Sequence, residues 1–200
     1  MASKKRNPIR MAVVGLGRAG WDIHIAAIRN RKDFILTDVV DIEQSRLDEA
    51  RAEFGCRTHR SFPSFLRHND AELVVVATQS LDHARQSRQA LKAGLHVLCE
   101  KPMATSLRQA DSVIAQAEKS PGIFTVHQNA RLNPDFLHIQ DVIRSGVLGT
   151  IFQVRRGGYS YARRNDWQTL RKYGGGLLNN NGVHLLDQVC RLLDAPVKDA

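Results

Sequence analysis

Over its first 125 residues the chain alternates between short apolar runs and longer amphipathic stretches. Ile9 to Gly15 is apolar and β-prone and stops at glycine, and Arg18 to Arg29 carries Ile23, Ala26 and Ala27 at helical spacing. Phe34 to Val40 predicts a second strand. Glu43 to Phe54 predicts a helix with Leu47, Ala50 and Phe54 on one face. Ser61 to Arg67 predicts a short helix capped by Ser61, and Leu73 to Thr78 a continuous buried strand. A helix follows over Leu81 to Ala93, capped by Ser80 or Asp82 and closed by Gly94. Leu95 to Cys99 reads as a strand and Ser106 to Lys119 as a helix. Pro121-Gly122 then breaks the chain before a strand over Ile123 to His127.

Strand and helix in strict alternation predict βαβ units, with right-handed crossovers, around a parallel sheet. The unbroken run Leu73–Ala77 agrees, because such a sheet is covered on both faces. The expected fold class is therefore α/β, with residues 1–125 forming a complete doubly wound domain. After residue 127 the pattern changes. Pro134 to Arg144 predicts a helix. Thr150 to Ser160 predicts a longer strand, with Ile151, Gln153 and Arg155 alternating against Phe152, Val154 and Arg156. A polar loop, Gly174-Gly175-Gly176 and a helix from Leu178 to Leu193 complete the chain. One strand cannot stand alone, so residues 126–200 read as the beginning of a second domain.

The 200 residues are 42% hydrophobic and 24% charged, which excludes a wholly disordered chain. Every apolar run is far shorter than the roughly 20 residues a membrane span needs. The basic N-terminus lacks the apolar core of a signal peptide, so the expected location is cytoplasmic. Cys56, Cys99 and Cys190 form no CxxC pair and read as small buried apolar side chains. The net charge is +9, and its densest cluster is Arg155, Arg156, Arg163, Arg164, Arg171 and Lys172. With Tyr159, Tyr161 and Trp167 among them, these residues could attract a polyanion. The absence of any nucleic-acid-binding motif leaves a solvated, arginine-guarded loop and edge strand as the better reading.

Gly15-Leu16-Gly17-Arg18-Ala19-Gly20 fits GxGxxG between a strand and a helix, and Asp41 ends the next strand. That is the layout of a dinucleotide-binding unit. Gly15 permits the tight turn, Gly17 lets the backbone approach a pyrophosphate, and Gly20 lets the helix lie close to the sheet. Asp41 can accept both ribose hydroxyls and would repel a 2′-phosphate. NAD is expected ahead of NADP, although Arg18 and Arg46 are nearby cations. Thr78 and Ser80 end a later strand at the same ligand-binding edge, with His83 in the next helix either reaching the site or packing within it. Glu100-Lys101-Pro102 ends another strand at that edge, where a lysine can bias an oxygen on a reacting carbon. In the last helix Asn180 and His184 lie four apart on one face, a plausible acid/base histidine beside an amide.

With these motifs in view, the chain resembles the Gfo/Idh/MocA family of nicotinamide-dependent sugar and cyclitol oxidoreductases. The residues that carry the resemblance are Gly15, Gly17, Gly20, Asp41, the triplet Glu100-Lys101-Pro102, and Gly174 to His184 with Asp187 beyond. The resemblance implies a Rossmann domain followed by an α/β domain with a mostly antiparallel sheet, here apparently cut short. It implies hydride transfer between the nicotinamide and a hydroxyl-bearing carbon of a sugar, cyclitol or related polyol. A non-catalytic dinucleotide-binding protein, or an inactive fragment of such an enzyme, is the alternative. Lys101 and His184 take the catalytic positions. Asn180 stands where an acidic residue commonly assists, and Arg131 and Trp167 fall where members line the substrate pocket. The expected cofactor contacts are Gly15, Gly17, Arg18, Ala19, Gly20, Asp41, Ile42, Arg46, Thr78, Gln79, His83, Glu100 and Lys101. No metal site is expected, and a full-length protein is expected to form a homo-oligomer through its C-terminal sheet.

Overall fold

A computed structural model describes residues 7–193. Residues 1–6, on which the reading of the N-terminus as free of a signal peptide partly rests, and residues 194–200 lie outside the described residues. The chain divides into two compact units, Met1–His127 and Gln128–Ala200.

The first unit is a six-stranded sheet of β1 (Ile9–Val14), β2 (Phe34–Val40), β3 (Arg57–His59), β4 (Leu73–Val76), β5 (His96–Cys99) and β6 (Phe124–Val126). Their order across the sheet is β3-β2-β1-β4-β5-β6, and every pair is parallel. The apolar runs are unbroken because successive side chains enter two different cores. Ala12, Val14, Val74, Val76, Val97 and Cys99 pack with Phe62, Phe65, Leu91 and Val113. Met11, Val13, Leu36, Val39 and Val75 pack with Ile25, Leu47 and Ala50.

The covering helices are α1 (Ala26–Ile28), α2 (Gln44–Phe54), α3 (Phe62–His68), α4 (Ser80–Lys92) and α5 (Leu107–Lys119). A π-helical segment, Ala19–Ile25, leads into α1, so the helix expected over Arg18 to Arg29 is only partly α-helical. Ser61 caps α3 by accepting from Ser64 N, and Ser106 caps α5 by accepting from Gln109 N. At α4 the N-cap position is Gln79 rather than Ser80 or Asp82, and its side chain makes no capping bond.

Strand β3 was not legible in the sequence, because Arg57-Thr58-His59 contains no apolar run. It is held on β2 by a buried charge. The register of β1 on β2 shifts between Met11 and Ala12, so Met11 faces Leu36 and Ala12 faces Asp38. Asp38 is fully buried inside the sheet. It accepts from Arg57 Nε at 3.0 Å, Arg57 Nη2 at 3.2 Å and His59 Nε2 at 2.9 Å. Burial pushes the Asp38 carboxyl up, but the bonds from Arg57 and His59 outweigh it and hold the group below the usual carboxylate range.

In the second unit, α6 spans Pro134–Arg144 and α7 spans Val183–Leu193. Short 3-10 turns occupy Asn129–Leu132, Trp167–Thr169 and Arg171–Tyr173, and a π-helical segment, Leu178–Gly182, leads into α7. The strand expected over Thr150 to Ser160 is not formed, and among the described residues this unit has no strand. The antiparallel sheet expected of the second domain is accordingly not seen. Alternation alone does not make a strand, which needs a hydrogen-bonded neighbour. Phe152 and Tyr159 are 92% and 97% exposed. Cys56 and Cys99 are buried, and burial pushes the Cys99 thiol up to about 12. Cys190 corrects the expectation for the cysteines. It is exposed, on the outer face of α7 that also carries Leu186 and Leu193.

Replacing Asp38 with Asn should cost about 1–3 kcal/mol at neutral pH, because buried donors lose a charged acceptor. The native carboxyl titrates below its unfolded value, so its contribution is complete above that unfolded value and disappears as pH falls through the native one. Chemical denaturation of wild type and Asp38→Asn at several pH values should therefore show the gap closing in acid. A gap that is constant with pH would contradict the account.

Candidate functional site

All strands of the first unit run the same way, so their carboxyl ends meet along one edge. Gly15 follows β1, Asp41 follows β2, Thr78 lies just past β4, Glu100 follows β5 and His127 follows β6. Side chains far apart in sequence are thus aligned where open α/β sheets bind ligands.

The glycines of the first turn separate by cause. Gly15 has φ +91°, and a Cβ there would meet Ala77 O at 2.7 Å. A Cβ on Gly20 would lie 1.9 Å from Gly15 O, so the helix can approach the turn only through glycine. Gly17 has neither constraint. Its φ is not in the left-handed region and a Cβ would meet nothing within 4 Å. Protein packing leaves the space beside Gly17 open, just before the N-terminus of a helix whose first turn closes with Trp21 N on Gly17 O. That is the cradle a pyrophosphate fits. Ala19 is half-buried at the helix start, and Arg18 is exposed at its N-cap.

Asp41 is buried beneath this turn. Its Oδ2 accepts from Leu16 N at 2.6 Å and its Oδ1 from Glu43 N at 2.9 Å, so one carboxylate ties the glycine turn to the end of β2. Arg46 Nη1 lies 3.5 Å from Oδ2, and Ile42 is exposed alongside.

Thr78 Oγ1 donates to Gln86 Oε1 at 2.7 Å, and Gln79 is half-buried beside it. His83 does not present a free ring to the edge. It is 2% exposed, with Nδ1 2.7 Å from Pro102 O and Nε2 3.0 Å from Thr78 O. Burial pushes its pKa down, against the pull of the two carbonyls, which can only accept. The ring spans the turns after β4 and β5.

Glu100 is the hub of this edge. Its Oε1 accepts from His24 Nε2 at 2.9 Å and His127 Nδ1 at 2.7 Å, while Oε2 accepts from the backbone N of Lys101 at 3.3 Å. Burial pushes the carboxyl up, and the two histidine bonds overcome it and hold Glu100 well below the usual range. The helix after the glycine turn, the end of β5 and the end of β6 are thereby joined. His24, Glu100 and His127 also place one potential metal-ligand atom each within 4.8 Å, the one such group among the described residues. The carboxylate–imidazole spacings are those of hydrogen bonds. Sequence reasoning missed His24 and His127, because a lone histidine carries no periodic signal.

Within the second unit, Asn180 and His184 are half-buried on consecutive turns of the helix that continues into α7. Arg131, expected at a substrate pocket, is clamped bidentately on Asp187, at 2.8 Å from Nε and 2.5 Å from Nη2. Trp167 is half-buried in a turn that Asp166 caps by accepting from Gln168 N. Gln188, which sequence reasoning also missed, is buried, donates to Ala130 O and accepts from Arg156. The basic cluster is partly neutralised in place, since Arg156 also reaches Asp135 and Arg164 binds Asp166. No helix among the described residues is long and apolar enough to cross a membrane.

These features are those of a nicotinamide-dependent Rossmann protein. The Gfo/Idh/MocA family described as "Oxidoreductase family, NAD-binding Rossmann fold" matches residues 9–128, and the family's C-terminal domain matches residues 136–200. The chain belongs to the Gfo/Idh/MocA oxidoreductase family and carries its NAD-binding domain. It is 30% identical over 195 residues to an uncharacterized oxidoreductase of Schizosaccharomyces pombe, covering 94% of this chain and 53% of the relative. It is 28% identical over 197 residues to D-glucoside 3-dehydrogenase of Escherichia coli, covering 95% and 55%. The WlbA dehydrogenase of Chromobacterium violaceum, solved with NADH and UDP-GlcNAcA, superposes with a TM-score of 0.67 at 30% identity, over 74% of this chain and 43% of that one. The chain spans about half the length of the curated relatives it matches.

The glycines make a paired test. Gly17→Ala should leave the melting temperature near wild type but weaken NADH binding about tenfold or more, a loss of about 1.4 kcal/mol. Gly20→Ala should instead destabilise the fold, as forced overpacking does, by about 1–3 kcal/mol or more. Fluorescence titration beside thermal unfolding reads both, and equal NADH affinity in Gly17→Ala would remove the pyrophosphate from this turn.

Proposed function

We propose that this chain is the cofactor-binding portion, with part of the substrate domain, of an NAD-dependent dehydrogenase acting on a sugar, cyclitol or related polyol. The observation that carries the reading is the open space at Gly17, which neither backbone conformation nor packing requires and a dinucleotide would use. The family match supports the reaction class, and the relatives' names support the substrate class.

NAD, when bound, accepts a hydride at C4 of its nicotinamide. The protein's part is binding and proton handling. Gly15, Gly17, Ala19 and Gly20 shape the turn for the diphosphate, with Arg18 beside it. Asp41, Ile42 and Arg46 border the ribose of the adenosine half, and Thr78 and Gln79 border the sheet edge. In the oxidising direction the hydroxyl-bearing carbon loses a hydride and its oxygen loses a proton. His184 takes that proton, and Lys101 stabilises the negative charge developing on the oxygen. Asn180 can hydrogen-bond in support but cannot itself carry the proton. Arg131 acts through Asp187, holding the helix of His184, and Trp167 contributes apolar surface to the substrate. Assembly of identical copies through the second domain and a cytoplasmic location complete the proposal.

The amide at Asn180 favours one other reading, a dinucleotide-binding protein without turnover. A polyol and sugar panel followed by NADH absorbance separates the two. Lys101→Ala should lower turnover by about 10²–10³-fold, far more than it changes NADH affinity. His184→Ala should lose about 10²–10⁴-fold and abolish the rise of oxidation rate with pH on the acid side of the profile. Unchanged turnover in either variant removes that residue from the mechanism. NADH binding with no turnover of any substrate favours the second reading.

A further inference from the structure

His24, Glu100 and His127 have a second chemical use, one that does not depend on a dinucleotide binding at this edge. They come from the helix after the glycine turn, the end of β5 and the end of β6, and 76 and 27 residues separate the two histidines from Glu100. Both imidazoles aim at one oxygen. His24 Nε2 lies 2.9 Å and His127 Nδ1 2.7 Å from Glu100 Oε1. One ligand atom of each residue falls within 4.8 Å of the other two. In a tetrahedral zinc site, bonds of about 2.0–2.1 Å set neighbouring ligand atoms about 3.3 Å apart. To reach that spacing each imidazole draws back from the carboxylate by about 0.4–0.6 Å, and the two nitrogens close by at most about 1.5 Å, shifts that side-chain rotation can supply.

The surroundings suit an ion. His24 and Glu100 are each 6% exposed, which shields them from water. The His127 side chain is 25% exposed and leaves a way in, with room for a solvent ligand. Glu100 Oε2 accepts from Lys101 N at 3.3 Å, an outer bond that orients the carboxylate as such bonds orient metal ligands. Two imidazole nitrogens and one carboxylate oxygen select an ion of the zinc class over magnesium or calcium, which favour oxygen alone. The competing state is the hydrogen-bonded trio itself, in which ring N–H groups point at the carboxylate. To ligate, each ring carries its proton on the opposite nitrogen, His24 Nδ1 and His127 Nε2.

We propose that His24 Nε2, Glu100 Oε1 and His127 Nδ1 form a binding site for one Zn²⁺ ion, with solvent as the fourth ligand, and that the ion fastens the helix after the glycine turn to the ends of β5 and β6.

The 200-residue chain, stripped of metal, can be titrated with zinc chloride against a chromogenic zinc chelator, with magnesium chloride as the comparison ion. The expected result is one zinc per chain with a dissociation constant of about 10 μM or tighter, and an unfolding temperature that rises with free zinc but not with magnesium. His24→Gln and His127→Gln should each weaken zinc about tenfold or more. Cys190→Ser, which removes an exposed thiol able to hold zinc elsewhere, should leave the affinity unchanged. Far-UV circular dichroism checks that each variant is folded. Because His24 is buried, ¹⁵N NMR of the wild-type histidine rings supplies a reading that needs no substitution. Zinc should shift His24 Nε2 and His127 Nδ1 and leave the exposed His68 and His138 where they are. Zinc binding weaker than about 10 μM overturns the proposal, as does an affinity that survives in a folded His127→Gln variant, or ring shifts confined to His68 and His138.

Discussion

The helix that follows β1 can start where it does only because two backbones nearly touch. A side-chain carbon at position 20 would stand 1.9 Å from the carbonyl oxygen of Gly15. That contact brings the helix N-terminus against the strand ends and leaves open space at Gly17. Asp41 then locks the turn from below through Leu16 N. The anion-binding geometry is thus a consequence of close packing, and a ligand need only occupy space the fold has already cleared.

A second dependence runs through Glu100. A carboxylate buried at the end of a strand is costly unless it is met by donors. Two imidazoles and a backbone amide meet it, and each comes from a different part of the edge. His83 adds a brace between the neighbouring turns. Lys101 is therefore attached to a turn whose foundation is polar but nearly dry. This is a way to hold a side chain on a short loop without a long element beneath it.

The two units were legible to different degrees. In the first, the apolar runs at Leu73–Val76 and Leu95–Cys99 identify strands directly, because a sheet covered on both sides demands continuous hydrophobicity. Strand β3 was invisible because Arg57 and His59 are there to satisfy Asp38, a contact 19 and 21 residues away. In the second unit the alternation over Thr150 to Ser160 was clear and still did not produce a strand. Pairing is a property of two segments, and among the described residues no partner is present.

Local spacing was enough to mark the glycine turn, the acidic residue after β2, the triplet at Glu100 and the helix of His184, because each is a run of adjacent residues whose chemistry is read in order. Tertiary structure alone decided what those residues face. It closed His83 between two carbonyls, turned Arg131 onto Asp187, gathered His24 and His127 around one carboxylate, and left Asp41 sheltered with Arg46 at its side. Burial and long-range partners set the charge and reach of a side chain, and neither is written in its neighbours along the chain.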